Sequence, residues 1–216
     1  KGGTAPNAVP DFAKAVVVDS AGAGYDIIRE MVSNCKTQKG WDISCRGAGK
    51  GLEISVRGKA AHGSKPEQGV NAIAILMDFL GGLNFLNDGT TDFIEFYNSR
   101  IGYDIHGERI GCPLQDDISG RLIFNVGKIE VNRNTAKLTI NIRYPVSECG
   151  ENVYAGIMEV LDAYNIGIVK EREQAPINID TDTELVATLM NVYRKHTGDT
   201  ESKPLVIGGG TYARAM

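Results

Sequence analysis

Two stretches of the sequence share one pattern: an alternating strand that ends in arginine, then a polar loop, then an amphipathic helix. The strands are Leu-Glu-Ile-Ser-Val-Arg at residues 52–57 and Leu-Thr-Ile-Asn-Ile-Arg at residues 138–143. The helices are predicted at residues 71–80 and 153–161. The pattern favours two similar half-units of the α/β class (α+β type), each an antiparallel sheet with helices on one face. A chance similarity between two strand–loop–helix units is the alternative.

The first half-unit contains further local signals. A β-branched run at residues 15–18 predicts a strand, and apolar residues at helical spacing predict a helix over 23–34. Residues 41–46 alternate and precede a glycine-rich turn, which predicts a β-hairpin with the first repeated strand. Residues 64–67 have capping-box spacing, and we expect them to open a long helix that ends at residues 81–82.

The second half-unit is predicted to consist mainly of strands. A meander around an Asn-Arg-Asn turn is predicted from three segments, residues 122–126, 127–131 and 137–143. Another strand is predicted at 166–170. Residues 93–97 fit either a helix or a strand, and residues 102–115 read mostly as loop.

The domain prediction follows from these elements. Residues 1–180 form one domain, with half-units at about 1–85 and 120–180 joined by a loop-rich segment. Residues 181–216 contain a capped amphipathic helix and a strand at 203–207. One helix and one strand cannot bury a core of their own. We therefore expect them to pack on the half-units or on something outside this chain.

Composition excludes some classes of protein. The net charge is −4, whereas a nucleic-acid binder usually carries a basic excess. No apolar run approaches the roughly 18 residues of a membrane span. The four cysteines form no C-x-x-C pair, which favours reduced thiols in a cytoplasmic protein, with a Cys35–Cys45 bridge as the alternative. The chain starts without Met and ends just after a glycine turn, so we expect it to be a piece of a longer protein.

No complete catalytic motif is present. The sequence lacks H-E-x-x-H and G-x-S-x-G, and its three histidines, His62, His106 and His196, do not come with a convincing set of three zinc ligands. We therefore predict no metal site within this chain.

Two residues with ionisable side chains are candidates for catalysis or ligand binding. His62 follows a strand between small residues, so its imidazole could donate to a developing oxyanion or act as an acid or base. A solvated loop histidine is the alternative. Arg143 ends the second repeated strand, and its guanidinium suits a carboxylate. A surface arginine on an alternating strand is the alternative.

Two loops could also contact a ligand. Residues 208–213 place three glycines after a strand, where free N–H groups can hold an anion or a carbonyl oxygen. A flexible turn is the alternative. Asn7 lies between Pro6 and Pro10, which stiffen the segment and would hold its amide in place. A plain turn asparagine is the alternative.

Four segments in order resemble bacterial dipeptidases of the peptidase V (Xaa-His dipeptidase) type, which belong to the di-zinc exopeptidases. The segments are residues 2–11, 54–72, 141–145 and 207–214. They resemble the start of the lid domain, its histidine loop and helix, its arginine strand, and the glycine loop where the chain re-enters the catalytic domain. The lid of these enzymes has two similar halves, in agreement with the internal repeat.

The resemblance implies hydrolysis of dipeptides with a free N-terminus, by two zinc ions, a bridging water and a glutamate base. It implies that His62 stabilises the oxyanion and that Arg143 holds the substrate carboxylate. The remaining substrate-binding residues that it implies are Asn7, Gly209, Gly210, Thr211 and Tyr212.

The zinc ligands and the glutamate base of that family lie in segments outside this chain. The resemblance therefore implies a lid plus a returning helix and strand, inactive alone, whose partners are the dipeptide and the missing catalytic domain. The resemblance is compatible with a homodimer of the fragment. It is also compatible with either zinc or manganese as the metal and with more than one preferred dipeptide. The alternative is a non-catalytic module that binds a small molecule or forms a dimer.

Overall fold

The computed structural model describes residues 1–19, 24–86, 88–169, 172–205 and 207. The described part is a mixed α/β structure, which confirms the predicted fold class. Its strands are β1 (Phe12–Val17), β2 (Asp42–Ala48), β3 (Gly51–Arg57), β4 (Gln115–Asp116), β5 (Gly120–Arg121), β6 (Ile123–Val131) and β7 (Ala136–Arg143). Its helices are α1 (Tyr25–Lys39), α2 (Ala72–Gly81), α3 (Asp88–Arg100), α4 (Gly150–Asp162) and α5 (Glu184–Thr197).

The first half-unit is a three-stranded antiparallel sheet in the order β1-β3-β2. The predicted hairpin is confirmed, since β2 and β3 pair from Asp42 opposite Arg57 to Ala48 opposite Gly51. Strand β3 lies in the middle, and its alternate apolar side chains share one face, because successive residues of a strand point to opposite faces. The buried apolar side chains of β3 are those of Leu52, Ile54 and Val56.

The helix predicted to open at residues 64–67 begins later than expected. Residues Pro66–Gln68 form one turn of 3₁₀ helix, and α2 starts at Ala72. Val70 cannot be helical, because it exchanges two 2.9 Å backbone hydrogen bonds with Lys59. The side-chain oxygen of Asn71 caps α2 instead, by accepting from the N–H groups of Ile73 at 2.9 Å and Ala74 at 3.4 Å.

The predicted three-stranded meander is wrong, because residues 123–126 and 127–131 belong to one strand, β6, which pairs with β7 along its length. The register shifts at Gly127, which forms a bulge rather than a turn. Residues 5–6 cross closely over this glycine, and a Cβ there would lie 2.6 Å from both the Ala5 carbonyl oxygen and the Pro6 Cα. Glycine is needed at this position for the close approach of another segment.

Two further strand predictions fail within the described ranges. Residues 166–169 are not a strand, because the chain turns through Asn165 (φ +54°) and the Ile166 N–H donates back to Leu161 at the end of α4. Residues 203–205 and 207 are not a strand either. Residues 93–97, which fit a helix or a strand, lie in helix α3.

Gly2 joins the two half-units into one sheet. It pairs with Ala13 of β1 on one side and with Ile129 of β6 on the other, where it exchanges two 3.0 Å hydrogen bonds. A Cβ at Gly2 would lie 2.9 Å from the Ile73 side chain, so the sheet packs tightly on α2 here. Helix α2 is buried on almost every side and forms the centre of a single apolar core.

Helix α5 is confirmed, but the described part of the chain leaves its apolar face uncovered. Its residues Leu185, Leu189 and Val192 are 61%, 59% and 51% exposed. An amphipathic helix normally buries such a face, so it lacks its packing partner here. None of the helices within the described ranges combines the length and apolar character of a membrane span.

Candidate functional site

The segments that carry Asn7 and His62 lie side by side. Ala8 pairs with His62 in an antiparallel bridge, and the Gly63 N–H donates to the Asn7 carbonyl oxygen at 2.8 Å. A Cβ at Gly63 would lie 2.8 Å from the carbonyl carbon of Asn7, so only glycine permits this approach. The Asn7 and His62 side chains are both exposed. The fold therefore brings together two predicted site residues that are distant in the sequence.

The hydrogen bonds of His62 determine which ring nitrogen carries the proton. Nδ1 accepts from the Ser64 N–H at 3.2 Å and lies 2.7 Å from the Ser64 Oγ, whose hydroxyl can donate to it. A neutral imidazole has one acceptor and one donor nitrogen, so we assign the proton to Nε2. The exposed Nε2–H is thus available to donate to a carbonyl oxygen that gains negative charge.

A buried asparagine holds the Asn7 segment on the second half-unit. Asn125 of β6 is 2% exposed, and its Nδ2 donates to the carbonyl oxygens of Pro6 at 2.8 Å and Ala8 at 3.0 Å. The sequence analysis missed this residue. An amide inside the apolar run of residues 122–126 was the available signal, because a buried side-chain amide needs hydrogen-bond partners.

Arg143 is the last residue of β7, and its Nε donates to Oδ1 of Asn141 at 3.2 Å. Among the described residues, no carboxylate forms an ion pair with Arg143. Partial burial lowers the pKa of this guanidinium, because the charged form loses hydration. A half-buried cation without a carboxylate partner is suited to bind an anionic ligand.

The topology places Arg143 and the His62 loop at the same end of the sheet. Strands β3 and β7 run in the same direction, because the pairings that connect them through β1, Gly2 and β6 are all antiparallel. Both strands therefore terminate at the same end of the sheet. Asn125 lies opposite Asn141, so the hydrogen bonds of these two asparagines link the Asn7 segment to Arg143 across β6 and β7. Gly209, Gly210, Thr211 and Tyr212 lie outside the described residues.

The loop that follows Arg143 is held by Asp116. Its Oδ1 accepts from the N–H and hydroxyl of Ser119, and its Oδ2 accepts from the N–H and hydroxyl of Ser147 at 3.1 and 3.0 Å. Burial alone would raise the pKa of Asp116, but these hydrogen bonds to the carboxylate outweigh it and hold the pKa well below its usual range. The ionised carboxylate thus stabilises the folded loop.

We expect Asp116→Asn to lower the thermal unfolding midpoint at pH 7, because the amide nitrogen cannot accept the bonds that Oδ1 or Oδ2 receives. A carboxyl with a depressed pKa stabilises the fold above its unfolded pKa of about 3.9 and loses that effect as pH falls. The difference in unfolding midpoint between the variant and the unmodified chain should therefore become smaller below about pH 4. Thermal unfolding of both proteins at pH 7 and pH 3 measures this difference. Asp117→Asn at the exposed neighbour is the control, and an equal gap at both pH values would contradict the assignment.

The described residues provide no metal site. No three His, Cys, Asp or Glu side chains come close enough together within them to hold a metal ion. The four cysteines are free thiols, so the Cys35–Cys45 bridge considered above is not formed.

Comparison with known proteins identifies relatives over nearly the whole chain. A Staphylococcus epidermidis protein named "Putative dipeptidase" is 35% identical over 212 residues, which cover 97% of this chain and 44% of that protein. Relatives with similar names from Staphylococcus haemolyticus and Staphylococcus aureus (strain USA300) are 33% and 32% identical over 97% and 100% of this chain, and over 44% and 45% of their own lengths. The chain thus spans less than half the length of these curated relatives.

A family model described as the peptidase dimerisation domain matches residues 46–167, which is more than half of the chain. This range runs from the β2–β3 hairpin to the turn after α4, so it contains both repeated strand–loop–helix units. It also contains His62, Asn125 and Arg143. On this match and the similarity to the staphylococcal proteins, the chain belongs to the M20 peptidase dimerisation-domain family.

Proposed function

We propose that this chain is the substrate-binding lid of a dipeptidase, that His62 is the catalytic residue it supplies, and that the metal ligands and the general base lie outside it. The arrangement at the end of the sheet carries the proposal. The exposed His62 lies beside Asn7, and Arg143, which no described carboxylate pairs with, is linked to them through Asn125 and Asn141. The names of the staphylococcal relatives support a dipeptide as the substrate.

Each of these residues would act on a different part of the substrate. Arg143 binds the C-terminal carboxylate, for which the planar guanidinium offers two parallel N–H donors. His62 donates from Nε2 to the oxygen of the scissile carbonyl, whose negative charge grows in the transition state. The Asn7 amide hydrogen-bonds the bound dipeptide nearby. Holding the substrate at these points restricts it to the reactive orientation.

The resemblance to di-zinc dipeptidases implies metal ions, and the described residues do not fit them, since no three ligands meet. We therefore propose that the metal, zinc by that resemblance, binds residues outside this chain. On this proposal the 216-residue chain alone does not hydrolyse dipeptides. We also propose that the protein is cytoplasmic, since four cysteines without a C-x-x-C pair favour reduced thiols.

The carboxylate requirement tests the proposed function. We expect the full-length protein to hydrolyse a dipeptide with a kcat/KM about 10- to 100-fold higher than for its C-terminal amide, because the amide cannot form the charge-assisted bonds to Arg143. An initial-rate assay of both substrates measures this, with the 216-residue chain assayed in parallel as an inactive control. Equal kcat/KM values for the two substrates, or hydrolysis by the chain alone, would contradict the proposal.

A second candidate is a module whose role is dimerisation, either alone or together with substrate binding. The family description and the exposed apolar face of α5 favour it. Sedimentation of the 216-residue chain over a range of concentrations tests whether two copies associate. A monomer at all concentrations leaves the α5 face to the missing catalytic domain, whereas a stable dimer supports association of two copies.

A further inference from the structure

A cavity of about 290 Å³ lies between the start of α2, the end of α3 and the middle of β6. Neither His62 nor Arg143 lines it. Its wall is mainly apolar and includes Val9, Val70, Ala74, Ile105, Phe124 and Val126. The volume is close to the lower end of the roughly 300–1,000 Å³ that small-molecule sites span. A cavity of about 150 Å³ already accommodates benzene, so a substituted aromatic ring fits here by volume.

One residue in this wall carries a polar group that has no partner among the described residues. Tyr97 lines the cavity from α3 and is fully buried, at 0% exposure. Its hydroxyl has no hydrogen-bond partner in the part of the chain that the structure describes. Other tyrosine hydroxyls are satisfied: Tyr25 donates to the Lys50 carbonyl oxygen at 2.6 Å, and Tyr103 donates to Asp78 at 2.9 Å. A buried unpartnered hydroxyl costs stability, so its presence calls for an explanation.

The Tyr97 hydroxyl keeps its proton at neutral pH. Burial raises the pKa of this phenol far above its usual value, and the nearby Tyr103 adds to the rise. Tyr103 also lines the cavity, so the two phenols lie near each other at this wall. The Tyr97 hydroxyl is therefore a hydrogen-bond donor without an acceptor.

The charges around the cavity disfavour an anion. Among the described residues, its lining contains Glu67 and Asp104 but no lysine, arginine or histidine. The two Asp104 carboxylate oxygens accept from the N–H groups of His106 and Arg109, both at 2.8 Å. Two carboxylates without a cation would repel a negatively charged ligand.

We propose that this cavity binds a small, uncharged, largely apolar molecule whose carbonyl oxygen accepts a hydrogen bond from the Tyr97 hydroxyl. The apolar walls bury the body of the ligand, and the Tyr97 hydroxyl orients it, as in other small-molecule sites. This inference does not rest on the proposed dipeptidase function, because it uses none of the residues assigned to the dipeptide.

Three probes of similar shape test the site: acetophenone, isopropylbenzene and benzoate. We expect acetophenone to cause saturable shifts in the backbone amide signals of Val70, Tyr97 and Ile105 when it is titrated into the ¹⁵N-labelled 216-residue chain. Isopropylbenzene should bind more weakly, and benzoate should not bind. Absence of saturable shifts with acetophenone, or equal binding of benzoate, would overturn the proposal.

Tyr97→Phe tests the contribution of the hydroxyl to binding separately from that of the apolar walls. We expect it to weaken acetophenone about tenfold, the loss of one hydrogen bond, and to leave isopropylbenzene unchanged. The same change should raise the thermal unfolding midpoint of the free chain, because it removes an unpartnered buried hydroxyl. Tyr25→Phe is the matched control and should lower the midpoint, because its hydroxyl is bonded to Lys50.

A fall in the midpoint with Tyr97→Phe would overturn the proposal, since it would mean that the hydroxyl is already bonded in the free chain. Ala74→Leu offers a second variant, because it fills the cavity from α2 and leaves the hydroxyl in place. It should abolish binding of acetophenone and of isopropylbenzene, and retained binding would place the probes elsewhere. Should either variant fail to fold, the selectivity of the unmodified chain among the three probes decides the matter.

Discussion

On the proposed function, we expect His62→Ala in the full-length protein to lower kcat for a dipeptide by about 10²–10³-fold, the usual cost of removing one oxyanion donor. The reason lies in the hydrogen bonds of the ring. Ser64 occupies Nδ1, so the proton sits on Nε2 of the exposed ring and can be donated to a ligand. Such a donor strengthens its bond as the carbonyl oxygen becomes negative, so its loss affects kcat more than KM.

Lys65→Ala is the control for this experiment. Lys65 is exposed in the same loop, so its removal deletes a nearby side chain without removing the His62 ring or the Ser64 groups that hold it. Steady-state kinetics of both variants should show normal kcat for Lys65→Ala. An unchanged kcat for His62→Ala would exclude the oxyanion role, and an equal fall in both variants would indicate a general loss of structure.

The second large effect is expected at Arg143. Replacing it by alanine should raise KM for dipeptides by about 10²-fold, because truncating one partner of a partly buried charge pair costs about 2–5 kcal/mol. Arg143→Lys should give an intermediate KM, since an ammonium lacks the planar fork of N–H donors. The folded chain should lose little stability, because no carboxylate of the described residues pairs with Arg143.

Two comparisons make the Arg143 experiment specific. Arg57 ends the equivalent strand of the first half-unit and is exposed, so Arg57→Ala is the matched control and should leave KM unchanged. The dipeptide amide, which has no carboxylate, should respond much less to Arg143→Ala than the dipeptide does. If KM for the dipeptide hardly moves, or if the amide is affected equally, Arg143 does not bind the carboxylate.

Local patterns predicted the hairpin of β2 and β3, the repeated strands and the helices α1, α4 and α5, because strand and helix periodicities appear directly in the order of apolar residues. The failures have tertiary causes. The start of α2 differs from the prediction because Val70 pairs with Lys59. The meander is one strand because Gly127 forms a bulge in the pairing with β7 and not a turn.

The residues of the candidate site also differ in whether the sequence alone could indicate them. His62, Arg143 and Asn7 were recognisable from their neighbours in the sequence and from the resemblance to a dipeptidase lid. Asn125 was not, because its two acceptors, the carbonyl oxygens of Pro6 and Ala8, are 119 and 117 residues away. The unpartnered hydroxyl of Tyr97 was equally hidden, since only the packing of α3 shows which polar atoms are left without partners.

The sequence by itself determined the class of fold, the pair of strand–loop–helix units and the residue types available for binding, because these depend on side-chain order and on chemistry. The tertiary structure alone decided which of them meet. Gly2 joins the half-units, and Asn125 brings the Asn7 and His62 segments to the end of the sheet where Arg143 lies. Such contacts depend on pairing and close approach between distant segments, and local periodicity carries no record of them.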